Sequence, residues 1–206
     1  MIEESPRWVR GRLGGETVVD SKDVRLLYAP GKKLPVWLFP ERDVRLDLVP
    51  PEAVKRHGEL VHVEFDALDE WLEEDEPQIG HPPDPHHRID VRRTSRRVRI
   101  SVGGRVVADT TEASALFETG LPVRWYMPRA EIAAPLEPSE HRSVCAYKGH
   151  AVHFDVAGER AVAWTYEDPL HDGLPVKDLV AFYNERVDIE VDGEPQERPR
   201  TQWSVH

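Results

Sequence analysis

Cys145-Ala146-Tyr147-Lys148-Gly149 puts a thiol, a phenol, an amine and a flexible backbone point within five consecutive residues. A lysine beside a thiol can lower the thiol pKa, and a glycine lets a ligand approach the main chain. The same segment also reads as a small buried residue followed by a turn. Arg124-Trp125-Tyr126-Met127-Pro128-Arg129 is the second group. Strand alternation sets Trp125 and Met127 on one face and Arg124 and Tyr126 on the other. That second face could offer a phenol, with Arg129 nearby, to an anionic group, or it could simply be the wet side of an amphipathic strand. Trp164 and Tyr166 share a face and could wall a pocket or fill a core. His153, between Val152 and Phe154, could contact a ligand, act as a general base, or be a structural histidine held by one hydrogen bond. The expected ligand-binding set is therefore Tyr126, Arg129, Cys145, Tyr147, Lys148, His153, Trp164 and Tyr166, with Tyr126, Arg129, Tyr147 and Lys148 as the main lining. Two cations and two phenols suit an anionic small molecule, a carboxylate or a phosphate. No residue is assigned a catalytic role.

His81, His86, His87 and Asp84 carry metal-binding atom types, but they lie in the proline-rich stretch GHPPDPHHR, which reads as a surface loop. Cys145 is the only cysteine. No structural metal and no cofactor are expected.

The elements that must hold these groups read as mostly β. Arg97–Val102 and Arg105–Ala108 alternate in polarity around Gly103-Gly104, which supplies the positive φ of a tight hairpin. Val123–Met127 is β-branched and aromatic between prolines, so it reads as a strand. Ala151–Val156 and Arg160–Tyr166 read as a second hairpin, and Val187–Val191 as a last strand. Ser114–Glu118 has helical or irregular character. Pro175–Tyr183 is the clearest helix, with proline at its start and Val176, Leu179, Val180 and Tyr183 on one face. Glu64–Glu76 has Phe65, Leu68, Trp71 and Leu72 at helical spacing.

The chain also repeats itself. Residues 9–28 align without a gap against residues 98–117, with seven of twenty positions identical, including Gly14-Gly15 against Gly103-Gly104. Further blocks follow: Trp37 against Trp125, Gly58 and His62 against Gly149 and His153, Trp71 against Trp164, and Arg88–Val91 against Arg186–Ile189. A period this long describes two small domains and not a solenoid. We expect an N-terminal β domain at 1–93, a C-terminal β domain at 94–193, and a poorly ordered tail at 194–206, with the two domains paired about a pseudo-twofold axis. Leu38 replaces Tyr126, Glu41 replaces Arg129 and Arg56-His57 replaces Tyr147-Lys148. The pocket is therefore expected in the second domain.

Composition limits the partners. The chain has 206 residues and a net charge of −11, and both halves are acidic. That field repels nucleic acid and anionic membrane. The arginines at Arg92, Arg93, Arg96 and Arg97 read as a solvated linker. The N-terminus lacks the basic start and apolar run of a signal peptide, and no apolar stretch is long enough to span a bilayer. A cytoplasmic protein is expected.

The second copy resembles the bacterial family catalogued as domain of unknown function 427. The residues carrying the resemblance are Val102-Gly103-Gly104, Val107-Ala108-Asp109, Leu116–Pro122, Arg124–Arg129, Cys145–Gly149 and Ala163–Tyr166, in order from about Arg97 to Val191. The first copy looks like a diverged relative over about Trp8 to Val91. The resemblance implies a compact β fold similar to the β-tent of methionine sulfoxide reductase B and no established activity; the residue patterns above add about one helix in each domain. A nucleotidyltransferase label sometimes attached to the family finds no Gly-Ser with a following Asp-x-Asp pair in this chain. The zinc-binding Cys-x-x-Cys pairs of several β-tent proteins are also missing. Two classes of function remain: a small-ligand-binding β domain that could be an enzyme, and a noncatalytic structural or interaction protein built from paired β domains.

Overall fold

A computed structural model of the chain describes residues 1–204. Val205 and His206, the end of the expected tail, lie outside the described residues. The chain divides into two compact units, Met1–Pro85 and His86–His206. Both are mainly β and are built from antiparallel sheets.

The first unit contains β1 (Ile2–Ser5), β2 (Val9–Leu13), β3 (Glu16–Ser21), β4 (Val24–Leu27), β5 (Val36–Pro40), β6 (Val54–His57), β7 (Leu60–Val63), β8 (Glu70–Glu73) and β9 (Glu76–Gln78). They form sheets of order β1-β4-β5-β7-β6 and β3-β2-β8-β9. The second unit contains β10 (Ile89–Arg93), β11 (Val98–Val102), β12 (Arg105–Thr110), β13 (Ser114–Glu118), β14 (Arg124–Met127), β15 (Glu137–Cys145), β16 (Gly149–Val156), β17 (Glu159–Thr165), β18 (Val180–Phe182), β19 (Asp188–Val191) and β20 (Glu194–Pro195). Its sheets run β10-β13-β14-β18-β17-β16-β15 and β12-β11-β19-β20.

The Gly-Gly pairs do what their chemistry allows. Gly103 and Gly104 have φ of 55° and 79°, and Gly14 and Gly15 have 58° and 83°. Two successive positive φ values give a turn whose twist matches that of the flanking strands. Both hairpins also carry a bulge, between Gly11 and Arg12 in one and between Ile100 and Ser101 in the other. The alignment of residues 9–28 with 98–117 pairs these positions.

The Trp37–Trp125 block also holds, since Trp37 pairs with Leu26 and Trp125 with Ala115, two residues that the alignment matches. The blocks after it do not hold in the topology. Phe39 of β5 pairs with Val61 of β7, and the strand that takes this place beside β14 is β18, where Met127 pairs with Val180. His62 therefore has no counterpart in His153, which lies on β16. Trp71 pairs with Gly11, and the residue that pairs with Ile100 is Ile189, not Trp164. Arg88–Val91, matched to Arg186–Ile189 in the alignment, lies at the start of β10, which pairs with β13 inside the second unit, as β1 pairs with β4 in the first. The second unit has β15 and β16 at the edge of its large sheet.

Two expected helices are not α-helical. His171–Val176 is a 3-10 segment and Val180–Phe182 is a strand. Phe65–Ala67 is one 3-10 turn and Glu70–Glu73 is a strand. Ser114–Glu118 is also a strand. These apolar runs are short, so helical and strand spacing overlap, and pairing in the middle of a sheet decides between them.

Each unit has its own core. In the first, Trp37, Phe39 and Trp71 pack with Val9, Val18 and Val61, and the Trp37 and Trp71 rings stand 5.1 Å apart. In the second, alternate residues of the seven-stranded sheet enter two clusters. Ala115, Trp125, Met127, Ala163, Val180 and Phe182 join Val98, Ile100 and Ile189 of the four-stranded sheet in the main core. Leu116, Tyr126, Trp164 and Ala181 point the other way, into a cluster with Ala151, Tyr166 and Val176. Burying one such large apolar side chain contributes about 2 kcal/mol.

Candidate functional site

The second cluster is where chemistry-bearing side chains collect. β13, β14 and β17 present Glu118, Arg124, Tyr126 and Trp164 to the same face, because each lies at the alternate position to a core residue. Tyr126 is 1% exposed, and its hydroxyl accepts a hydrogen bond from Trp164 Nε1 at 3.0 Å. Burial raises the Tyr126 pKa against the opposing effect of that N–H, and burial likewise raises that of Tyr166. Both phenols are neutral donors and not bases at ordinary pH. Cys145, half-buried, packs on the same cluster.

At one end of this face Lys148 Nζ meets Glu118 Oε2 at 2.5 Å, with both side chains buried. The other carboxylate oxygen, Oε1, accepts from His87 Nε2 at 3.0 Å, and the His87 ring stacks on Tyr147 at 4.2 Å between centroids. Lys148 is held from the main-chain side. Leu170 N–H donates to its carbonyl at 3.1 Å, and a Cβ on Gly173 would come within 3.0 Å of the same oxygen. Arg124, which pairs with Leu116 on the same face, forms a bidentate pair with Glu185, both contacts 2.7 Å, with side-chain exposures of 5% and 0%. Burial pushes the Glu185 carboxyl up, and the Arg124 guanidinium and the Thr201 hydroxyl outweigh it, so its pKa lies below the usual range. Breaking one partner of such a pair costs about 3–5 kcal/mol, since it strands a buried charge. His153 Nε2 hydrogen-bonds Ser143 Oγ at 2.8 Å, while its Nδ1 is buried with no hydrogen-bond partner.

Of the expected set, the structure brings together Tyr126, Cys145, Trp164 and Tyr166, with His153 at 6.4 Å from the Trp164 ring. Tyr147 and Lys148 stand with Glu118 and His87. Arg129 does not join them. It is exposed and lies over Phe154, a residue of the main core, at 4.8 Å. Glu118, His87 and Glu185 were not singled out by sequence reasoning as members of this site. The only signal for this face was the alternation that set Arg124 beside Tyr126. Among the described residues no three His, Cys, Asp or Glu side chains gather to hold a metal, and His81 Nδ1 donates to the neighbouring Pro82 carbonyl. A concavity of about 420 Å³ lies elsewhere, lined by Arg97, Asp109, Thr110, Thr111, Glu112 and Glu131. It is open and polar, and its arginine is already paired to Asp109 at 2.7 Å. Ligand sites are concave with apolar walls, so the buried polar groups carry more weight than this dish.

Residues 90–193 match the family model described as a domain of unknown function, DUF427. The chain belongs to the DUF427 family. The DUF427 region runs from β10 to the turn after β19, and it contains Glu118, Arg124, Tyr126, Lys148, His153, Trp164 and Glu185. His87 lies just before it, and Thr201 and Trp203 lie after it. A comparison with curated proteins finds no match. No helix among the described residues is long and apolar enough to cross a membrane.

Proposed function

We propose that the second unit binds a small polar organic molecule on the Tyr126–Trp164–Tyr166 face, with its polar contacts made to the Lys148–Glu118–His87 chain. The observation that carries this reading is the buried Lys148–Glu118 pair, continued to His87. Apolar residues of similar volume would stabilise a fold as well as a buried ion pair does, and with less dependence on geometry. A lysine, a carboxylate and an imidazole in hydrogen-bonded series offer a ligand both donors and acceptors. Lys148 is already paired and Arg129 sits on the other side, so a simple anion has less to gain here than a molecule that hydrogen-bonds in both senses. Gly173 packs against Lys148, so entry requires His171–Val176 to lift.

Native mass spectrometry of the intact protein, followed by thermal-shift screening, tests this reading. Amides, hydroxy acids, simple carboxylates and phosphates are compared on the wild type and on Glu118→Gln. The expected result is a retained or stabilising ligand on the wild type and at least a tenfold weaker response in Glu118→Gln, roughly the worth of one charge-assisted hydrogen bond. Equal responses in both proteins would remove the site from this face.

A further inference from the structure

After β20 the chain crosses exposed residues 196–198 and returns to the Arg124 end of the large sheet. Arg198 pairs with Asp188 at 2.7 Å on the way. Thr201 Oγ1 then donates to Glu185 Oε1 at 2.6 Å. Thr201 and Ser204 close a short turn, with Thr201 N–H on Ser204 Oγ at 3.0 Å and Ser204 N–H on the Thr201 carbonyl at 3.2 Å. This turn sets the half-buried indole of Trp203 with its centroid 5.3 Å from the Arg124 guanidinium. The Trp164 and Tyr183 rings stand 5.7 Å and 5.9 Å from the same guanidinium, and Tyr183 is 6.3 Å from Trp203.

Three aromatic rings thus surround one buried cation. Two belong to the sheet and the turn after β18. The third is delivered by the trailing segment. The N–H edges of Arg124 are committed to Glu185 and to Asn184 at 3.1 Å. What the guanidinium has left to offer is its planar face, and that face attracts electron-rich rings. Glu185 Oε1 accepts from Arg124 and has a second lone pair, which Thr201 fills. The place held by Thr201 and Trp203 therefore asks for one planar ring and one hydrogen-bond donor.

We propose that this is a binding site for a small planar aromatic molecule carrying an N–H or O–H donor, and that Thr201 and Trp203 are a built-in occupant which such a molecule displaces. The site uses Arg124, Trp164, Tyr183 and Glu185, and it stands or falls separately from the Lys148–Glu118–His87 reading. Its cage lies inside the DUF427 region of residues 90–193 and its occupant outside it. Among the described residues, the Thr201 hydrogen bond, the Arg124 cation–π contact and the Tyr183 ring hold the turn on the sheet, and ordering its residues costs free energy of comparable size, which favours exchange with an external occupant. A resident occupant lowers the apparent affinity for an external one by the fraction of time it is docked.

The experiment uses the full chain as wild type, Trp203→Ala and Thr201→Val, with indole and 1-methylindole as probes, followed by saturation-transfer NMR and calorimetry. Trp203 is half-buried at the edge of the unit, so its removal leaves the sheet intact, and a cooperative melt of each variant checks this. Trp203→Ala is expected to bind indole about tenfold more tightly than the wild type, because the ring of the occupant is gone and only the Thr201 hydrogen bond is left to displace. 1-Methylindole keeps the ring and loses the donor, so it binds Trp203→Ala more weakly than indole does. Trypsin is expected to cleave after Arg200 faster in both variants than in the wild type, and Thr201→Val supplies this readout should Trp203→Ala not fold. Equal indole affinity in wild type and Trp203→Ala, no binding to either, equal binding of the two probes, or unchanged cleavage would each overturn the proposal.

Discussion

His153 shows how a single side chain ties stability to pH. Its ring is 1% exposed. Burial, with His141 and Arg142 close by, holds its pKa down to about 4 from an ordinary value of 6.5. Between those values the unfolded chain takes up a proton that the folded chain refuses. Stability therefore falls as pH drops through this window and is fully present above it. We expect this group to remove roughly 3 kcal/mol from the second unit between neutral pH and pH 4. Urea unfolding followed across that range should show the loss in the wild type and a flatter profile in His153→Gln. An unchanged slope would mean that another group carries the titration. Glu185 adds to acid lability in the same direction, since its depressed pKa contributes stability that is lost as pH falls through the carboxylate range. The sequence showed His153 between apolar neighbours, and burial was legible from that. The bond to Ser143 was not, because it joins two strands in a register that no local pattern specifies.

At the scale of elements, the segment before β18 is closely packed. His171–Val176 lies over the turn that carries Lys148, and Gly173 is the point of closest approach. A Cβ there would stand 2.8 Å from Pro169 Cβ and 3.0 Å from the Lys148 carbonyl oxygen. Gly173→Ala is expected to destabilise the second unit by about 1–3 kcal/mol through overpacking, or to lift the segment and raise amide exchange at Lys148 and Gly149. Hydrogen exchange and chemical denaturation of the variant separate the two, and a variant as stable and as protected as the wild type would show that the packing is looser than described. The same element explains why a helix was expected over Pro175–Tyr183. Val176, Leu179, Val180 and Tyr183 fit a helical stripe, yet Val180 and Phe182 enter one core while Ala181 enters the other. A central strand with both faces buried has no polar side, so its period is hidden.

For the whole molecule, each unit owns a core, and a cavity made in one should be felt there first. Trp71 is 2% exposed and touches Phe65, Phe39 and Trp37 through its ring. Trp71→Ala is expected to cost the first unit about 3–5 kcal/mol and to raise exchange at Val18, Phe39 and Val61 before it does so at Ile100 or Phe182. Simultaneous loss of protection in both cores would contradict that. By itself the sequence determined the mainly β class, the two Gly-Gly hairpins, the family and the placing of Tyr126 and Trp125 on opposite faces. Glycine at positive φ and strand alternation are local properties of the chain, so they are legible residue by residue. Only the tertiary structure decided that Lys148 faces Glu118, that Arg124 faces Glu185, that Arg129 stands apart from both, and that a segment expected to be a loose tail docks Trp203 on Arg124. Those partners are separated by 30 residues for Lys148 and Glu118 and by 61 for Arg124 and Glu185. Which of many carboxylates a buried cation meets follows from sheet order, and sheet order is fixed by long-range pairing and not by spacing along the chain.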